Sequence, residues 1–129
     1  MAANDDADPT VALPSILACP EDVHGLPVLG RDGDKIGTID KIVFDKRTGH
    51  IAYVILSSGG FLGLGQSYHP LPWNAFRYNH LEDVYSAAID KRTLEGAPSF
   101  RPDDAPTFNE TYGRRIDDYY RVPHTTAPE

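Results

Sequence analysis

The sequence predicts a small all-β domain, a partly open antiparallel β-barrel followed by a short C-terminal helical arm. Three observations lead to this class. Short strand-like segments follow one another between glycine-rich turns, no helical pattern separates these segments, and no internal repeat is present. The chain has 129 residues, which is enough for one domain and too few for two of ordinary size. We therefore expect one barrel whose strands pair in the antiparallel direction throughout.

Proline and charge divide the chain into a folded middle and two looser ends. Nine of the 11 prolines lie before Val28 or after Ala97, and the stretch between these residues carries eight acidic and eight basic side chains. The net charge of -7 therefore comes from the ends. We assign residues 1–22 to an acidic, disordered leader, residues 23–100 to the barrel, and residues 101–129 to a tail rich in proline and aspartate.

The first half of the barrel begins with a hairpin. The Asp32-Gly33 pair follows a short apolar run and is typical of a tight turn. The returning strand, Lys35 to Asp45, starts with alternating apolar residues and shifts register near Asp40, which indicates a β-bulge. The strand from His50 to Ser57 is apolar on both faces, so we expect it to be central in the sheet.

The second half of the barrel is predicted from shorter patterns. Tyr68 to Trp73 contains two prolines, which cannot donate ladder hydrogen bonds, and so predicts an edge strand. Val84 to Ile89 supplies a further strand, and Lys91 to Glu95 one helical turn. In the tail, apolar residues recur at helical spacing within residues 108–120. This spacing predicts an amphipathic helix that packs on its own barrel or on a neighbour's.

Apolar side chains on a glycine-rich loop predict a contact surface. The loop at residues 59–65 carries large apolar residues that water does not favour unless something covers them. The predicted partner-binding residues are the apolar residues of this loop and of the tail helix, namely Phe61, Leu62, Leu64, Tyr112, Ile116 and Tyr119. The partner is a second copy of the chain or another protein. In the alternative interpretation, Phe61 and Leu62 fold back and cap the barrel mouth.

A different class of function is the binding of a small molecule or metal at the barrel mouth. Tyr53, His69 and Trp73 are the candidate residues for such a ligand, although Trp73 also suits the core. The histidines of the sequence show no metal-ligand spacing, which predicts no metal site. The single cysteine, Cys19, excludes an internal disulfide and a cysteine-rich zinc site.

Motifs that would carry catalysis or cofactor binding are incomplete. Residues 60–67 resemble a phosphate-binding loop, but Gln66 replaces the lysine that would meet the phosphate charge. The Asp32 to Gly37 segment resembles a calcium loop in which Ile36 occupies a ligand position. We therefore predict no catalytic residue, no cofactor and no enzyme activity. Acidic ends around a charge-balanced middle also predict no binding to nucleic acid.

The compartment is predicted from segments that the sequence lacks. No run of about 18 apolar residues is present, as a membrane-spanning helix would need. The N-terminus carries Asp5, Asp6 and Asp8 in place of the positive region of a secretory signal. The sequence therefore predicts a cytoplasmic protein without membrane insertion.

An ordered set of short motifs resembles the PRC-barrel family. The motifs are Val28-Leu29-Gly30, Asp34-Lys35-Ile36-Gly37, Asp45, Gly49-His50-Ile51-Ala52-Tyr53, Gly59-Gly60-Phe61-Leu62-Gly63 and Leu71-Pro72-Trp73. The resemblance covers residues 23–100 and depends on the order of the set more than on any single motif. It implies a stand-alone bacterial barrel that has no catalytic residues and serves as a docking surface for other proteins.

The same resemblance leaves three functional hypotheses open. The family includes the cytoplasmic domain of the photosynthetic reaction-centre H subunit and the C-terminal domain of a ribosome maturation protein. The membrane helix of the H subunit has no equivalent here, so only peripheral contact with a membrane complex is implied. The hypotheses are a self-associating interaction module, an accessory factor of a photosynthetic or other membrane complex, and a barrel that binds a small molecule or metal.

Overall fold

The computed structural model describes residues 15–61 and 64–123 of the chain. The helices within these residues are α1 (Pro20–Val23), α2 (Lys91–Glu95), α3 (Glu110–Tyr120) and a 3-10 turn at Trp73–Ala75. The strands are β1 (Pro27–Leu29), β2 (Lys35–Phe44), β3 (Ile51–Phe61), β4 (Leu64–Pro72), β5 (Phe76–Asn79) and β6 (Val84–Ala87).

All six strands belong to one sheet with the order β4-β3-β2-β1-β6-β5. Four of the pairs are antiparallel, whereas β1 and β6 run parallel, with Val28 opposite Tyr85. The prediction of antiparallel pairing throughout is therefore wrong for this pair. The physical reason is the turn at Trp73–Ala75, which carries the chain from one edge strand to the other without reversing its direction within the sheet. As a result, the first and last strands of the sequence meet in the same direction.

The sheet curls without closing through hydrogen bonds among the described residues. Its edges are β4 and β5, which confirms the predicted edge position of the proline-containing strand. One isolated bridge, between Tyr68 and Phe100, adds the start of the tail to the outer edge of β4. The fold is therefore mostly sheet and partly open, with mixed pairing and short helices.

The β2 strand carries the predicted bulge. Its register against β3 shifts between Ile39 and Lys41 and again between Val43 and Phe44. The first shift places an extra residue, Asp40, in β2, and the second places an extra residue, Ala52, in β3. Such bulges bend a strand and increase its twist. This bending lets the sheet wrap around a core.

The glycine-rich segment after β3 differs from the predicted loop. The strands β3 and β4 extend into it, and Phe61 is paired with Leu64 in the ladder. Gly59 and Gly65 have φ angles of 69° and 72°, which glycine adopts without steric cost. The predicted contact residue Leu62 lies outside the described residues.

The concave face of the sheet holds the larger apolar core. Its most buried members come from β1, β3, β4 and α2 and include Val28, Leu56, Leu71 and Leu94, each with at most 1% of its surface exposed. Residues opposite each other on paired strands share a face, so His69, opposite Leu56, lies on this face as well.

The opposite face of β3 and β4 is covered by the tail. Helix α3 packs there through Ile116, which is fully buried and forms a second cluster with Ala52 and Tyr53. A chain of edge-on aromatic contacts runs along the same tail segment, with ring centroids separated by 5.4–6.2 Å. Its members are Tyr68, Phe100, Phe108 and Tyr112. The tail helix thus packs on its own barrel in this structure.

The helix approaches the sheet most closely at Gly113. A Cβ atom at this position would lie 2.6 Å from the hydroxyl oxygen of Tyr53, closer than real Cβ atoms come to other atoms. The same hydroxyl donates to both carboxylate oxygens of the buried Asp117, at 3.3 and 3.2 Å. Tyr119 adds a hydrogen bond of 2.6 Å from its hydroxyl to the carbonyl oxygen of Thr93. Docking of α3 therefore requires glycine at residue 113.

We predict that Gly113→Ala destabilises the protein although alanine favours helix by about 1 kcal/mol. The added methyl group has to displace the Tyr53 ring, and overpacking of this kind costs about 1–3 kcal/mol. Urea denaturation measures the change, with the exposed helix residue Thr111→Ala as the matched control. In a Tyr53→Phe background the cost of Gly113→Ala should fall, because the closest atom is gone. If Gly113→Ala stabilised the protein as Thr111→Ala does, the close approach would be refuted.

Candidate functional site

A groove opens at one end of the concave face, and we call it the mouth groove. Its volume is about 390 Å³, within the range of pockets that bind ligands or peptide side chains. The sheet residues that form it are Ile42, Phe44, Ile51, Trp73, Phe76 and Tyr85. The segment before the sheet adds Ile16, Cys19 and Val23 to the wall. No charged side chain is among the described residues of this lining.

Two aromatic residues remain accessible at the mouth groove. Phe44 is 57% exposed and Trp73 is 37% exposed, although both are large apolar side chains. Trp73 stacks on Phe76, with ring centroids 6.0 Å apart. Apolar surface that is concentrated in one concave site is typical of a site that binds another molecule.

Local backbone features place these two side chains. The register shift between Val43 and Phe44 occurs at the last residue of β2, where the strand leaves the sheet. At the end of β4, Pro72 precedes the 3-10 turn that starts with Trp73 and crosses the open end of the barrel. The register shift at the end of β2 and the 3-10 turn after β4 therefore place Phe44 and Trp73 in one groove, although they are far apart in the sequence.

The mouth groove continues past Trp73 toward a polar end formed by the β5–β6 hairpin. There the hydroxyl of Tyr78 donates to Asp83 at 2.7 Å, and the Tyr78 and Tyr85 rings lie 5.0 Å apart. The hydrogen bond to the Asp83 carboxylate raises the pKa of Tyr78 to about 12, and burial raises the pKa of Tyr85. Both tyrosines are neutral at physiological pH, so this end offers uncharged hydroxyl groups together with the carboxylates of Asp22 and Asp83.

The predicted ligand residues Tyr53, His69 and Trp73 do not share one site. Trp73 lines the mouth groove. From the sequence, Trp73 is also compatible with a position in the core. Tyr53 lies on the opposite face of the sheet beneath α3, bound to Asp117. His69 is 4% exposed within the concave core, and its Nδ1 atom has no hydrogen-bond partner among the described residues.

The predicted partner-binding residues are also distributed over different places. Ile116 is fully buried against the chain's own sheet, Tyr112 is half-buried beside it, and Tyr119 keeps 37% of its surface exposed. Phe61 and Leu64 pair at the far end of the β3–β4 ladder. The structure therefore places Ile116 and Tyr112 on the chain's own barrel and the backbones of Phe61 and Leu64 in the β3–β4 ladder.

Sequence reasoning did not identify Phe44 or the segment at Ile16–Cys19 as part of a site. Phe44 ends the apolar run Ile42-Val43-Phe44, where three consecutive apolar residues cannot all face one side of a strand. That run was interpreted only as a bulge, although it also signals an exposed apolar residue. The position of Ile16 at the groove carried no local signal, because it depends on the path of the chain before α1.

Within residues 15–61 and 64–123, no group of three or more His, Cys, Asp or Glu side chains is placed to hold a metal ion. In the same ranges, no helix has the length and apolar character required to cross a bilayer.

Comparison with known families gives one match. Residues 21–94 match the model of the PRC-barrel domain, which is more than half of the chain. This range begins two residues before the resemblance noted from the sequence and ends before Phe100. No curated protein matches the sequence.

We predict that His69 makes the stability of the fold depend on pH. Burial lowers the pKa of His69 below 6.5, and the nearby Glu95 carboxylate opposes this only in part. The contribution of neutral His69 to stability is fully present above 6.5. As the pH falls below 6.5, the unfolded state binds the proton first, so stability decreases until the pH reaches the folded-state pKa. One proton gives a slope of at most about 1.4 kcal/mol per pH unit.

Urea denaturation between pH 5 and 8 (roughly the range in which histidine titrates) measures this slope. His69→Leu should flatten the curve, while the exposed His50→Gln serves as the control and should keep it. Parallel curves for the wild type and His69→Leu would show that His69 does not carry the pH dependence.

Proposed function

Because the chain belongs to the PRC-barrel family, we propose that it is a non-catalytic protein-binding module that self-associates through its mouth groove. Family membership supports a general module and leaves its use open, since a fold hosts many functions. The choice among functions therefore rests on the site.

The observation that carries this proposal is the exposure of Phe44 and Trp73, which both line one apolar groove. Aromatic residues in such concave sites contribute most of the binding energy at protein interfaces. A second copy presents the same two aromatic residues, so a two-fold arrangement can bury Phe44 of each copy against the groove of the other. Self-association through this face would remove both aromatic side chains from water.

The placement of the buried polar groups supports a non-catalytic role. The Asp117 carboxylate is 1% exposed and is bound by Tyr53 on the face that α3 covers. His69 lies in the concave core and lines none of the grooves described above. The groups best suited to acid and base chemistry are thus separated from the surface that a substrate would reach.

We predict that Phe44→Glu weakens self-association at least about tenfold, which corresponds to about 1.4 kcal/mol. The glutamate would have to lose its hydration to enter an apolar groove. Light scattering over a concentration series measures the mass of the full-length wild type and of each variant. Leu81→Glu is the matched control, because Leu81 is 78% exposed and lines neither the mouth groove nor its polar end.

The expected result is a mass that rises with concentration for the wild type and Leu81→Glu, and rises less for Phe44→Glu. If all three proteins had the same mass at every concentration, self-association through the mouth groove would be ruled out. The predicted cytoplasmic location and peripheral contact with a membrane complex rest on the sequence and on the resemblance, and stay predictions.

A second candidate function is the binding of an apolar small molecule in the same groove. The groove volume of about 390 Å³ favours it, together with an uncharged lining. Melting in the presence of aliphatic and aromatic test compounds distinguishes the two functions. A ligand of this class would raise the melting temperature of wild type and Leu81→Glu without changing their mass.

A further inference from the structure

The mouth groove and its polar end carry charge of one sign. The two parts share Val23, Trp73 and Tyr85 in their linings. Among the described residues that line them, the charged side chains are Asp22 and Asp83, both at the polar end, and neither part is lined by a lysine or an arginine. An occupant that fills both parts therefore has to combine an apolar group with a positive charge.

Both carboxylates can accept a further bond. Oδ1 of Asp83 accepts the hydroxyl of Tyr78 at 2.7 Å, and Oδ2 of Asp22 accepts the backbone N–H of Cys19 at 2.9 Å. The other oxygen of each carboxylate accepts no hydrogen bond from the described residues, and neither aspartate forms a salt bridge with them. An ammonium group can thus bind here without displacing an existing contact.

The complementary pattern lies next to Phe44 on the same chain. Phe44 is 57% exposed, and Lys46 is exposed as well and forms no salt bridge with any described residue. The Cα atoms of residues two apart in the sequence lie within about 7 Å of each other. Wherever Phe44 is buried against a second copy, Lys46 is therefore close by, with its ammonium group on a long and flexible stem.

The turn between β2 and β3 is held in place by its own hydrogen bonds. The N–H of Asp45 donates to the carbonyl oxygen of His50, and the N–H of Gly49 donates to that of Asp45, both at 2.8 Å. The Arg47 guanidinium donates to the two carboxylate oxygens of Asp45 at 3.2 and 3.0 Å. An ordered turn loses little conformational freedom when it docks, and Lys46 is the basic residue of this turn whose charge Asp45 does not hold.

Charge also explains why two copies would need such a contact. The chain has a net charge of -7, so two copies repel each other at a distance. Burial of an apolar side chain opposes this repulsion but has no preferred direction. A pair of opposite charges beside the buried group opposes the repulsion and also fixes the orientation of the two copies.

We propose that the occupant of the mouth groove is the β2–β3 turn of a second copy, with Phe44 in the apolar part and Lys46 paired with Asp22 and Asp83 at the polar end. This inference rests on the proposed function and deepens it, because it names the partner segment and the contact that sets its orientation. In a two-fold dimer the contact forms twice.

The first experiment measures the mass of full-length proteins by light scattering over a concentration series. Lys46→Glu should weaken self-association about fivefold or more, because it brings like charges together at the polar end. Lys91→Glu is the matched control, since Lys91 is exposed, lines neither part of the groove and changes the net charge by the same amount. The control should associate as the wild type does.

The second experiment mixes two weakened proteins. Asp83→Lys should also weaken self-association, whereas an equimolar mixture with Lys46→Glu should associate more strongly than either protein alone. Both contacts of the mixed dimer again join opposite charges, and mixing cannot rescue a variant that only disturbs its own fold. Asp83 has a φ of 53°, which is unfavourable for lysine, so Asp22→Lys is the second variant for the same mixture. Circular dichroism checks that each variant is folded.

Trp73 reports whether association uses this groove. It is the single tryptophan of the chain, lines both parts of the groove and is 37% exposed. Its emission should therefore move to shorter wavelength as the mass of the wild type rises. A rising mass without a change in Trp73 emission would place the association on another face and overturn the inference.

The inference and the proposed function fail in different ways. If Phe44→Glu weakens association while Lys46→Glu behaves as Lys91→Glu, the proposed function stands and the inference is wrong. The inference is also wrong if mixtures of folded variants associate no more strongly than their components. A wild type that stays monomeric at every concentration would overturn both and leave the groove to an occupant of different chemistry.

Discussion

The structure depends on one strand that is apolar on both faces. In β3, Val54 and Leu56 face the concave core, while Tyr53 and Ile55 lie on the other side of the sheet, and all four are nearly inaccessible to water. A sheet with two apolar faces needs a layer on each of them. The curl of the sheet supplies one layer and the C-terminal tail supplies the other, so the tail helix belongs to the fold as much as the strands do.

Covering the outer face with α3 has consequences for where a partner can bind. The helix comes close enough for the Tyr53 hydroxyl to contact Gly113 and Asp117, and this contact occupies the face that a partner helix would otherwise use. Among the described residues, an apolar groove stays open at the barrel mouth, where β2 ends and the chain crosses from one sheet edge to the other. The groove is therefore a consequence of the incompletely closed sheet.

Much of the fold could be predicted because it follows from the pattern of residues that are close together in the sequence. The bulge near Asp40, the edge position of the strand with Pro70 and Pro72, and the helical turn at Lys91–Glu95 all follow from the residues themselves. The site was less predictable. Phe44 and Trp73 are 29 positions apart in the numbering, and only the folded sheet places both in the lining of one groove. No spacing rule connects them, and Tyr53 and His69, which looked equivalent to Trp73, lie on other surfaces.

By itself the sequence determined the mostly sheet class of the fold and the family, because turn residues and strand alternation act over a few residues. The division into a leader, a barrel and a tail stays a prediction. Only the tertiary structure decided that β1 and β6 run parallel, that α3 packs on its own barrel, and that the mouth groove collects Phe44, Trp73 and the end of the leader. These features depend on chain direction across the whole sheet and on contacts between distant segments, and such contacts form only when the backbone has closed around its core.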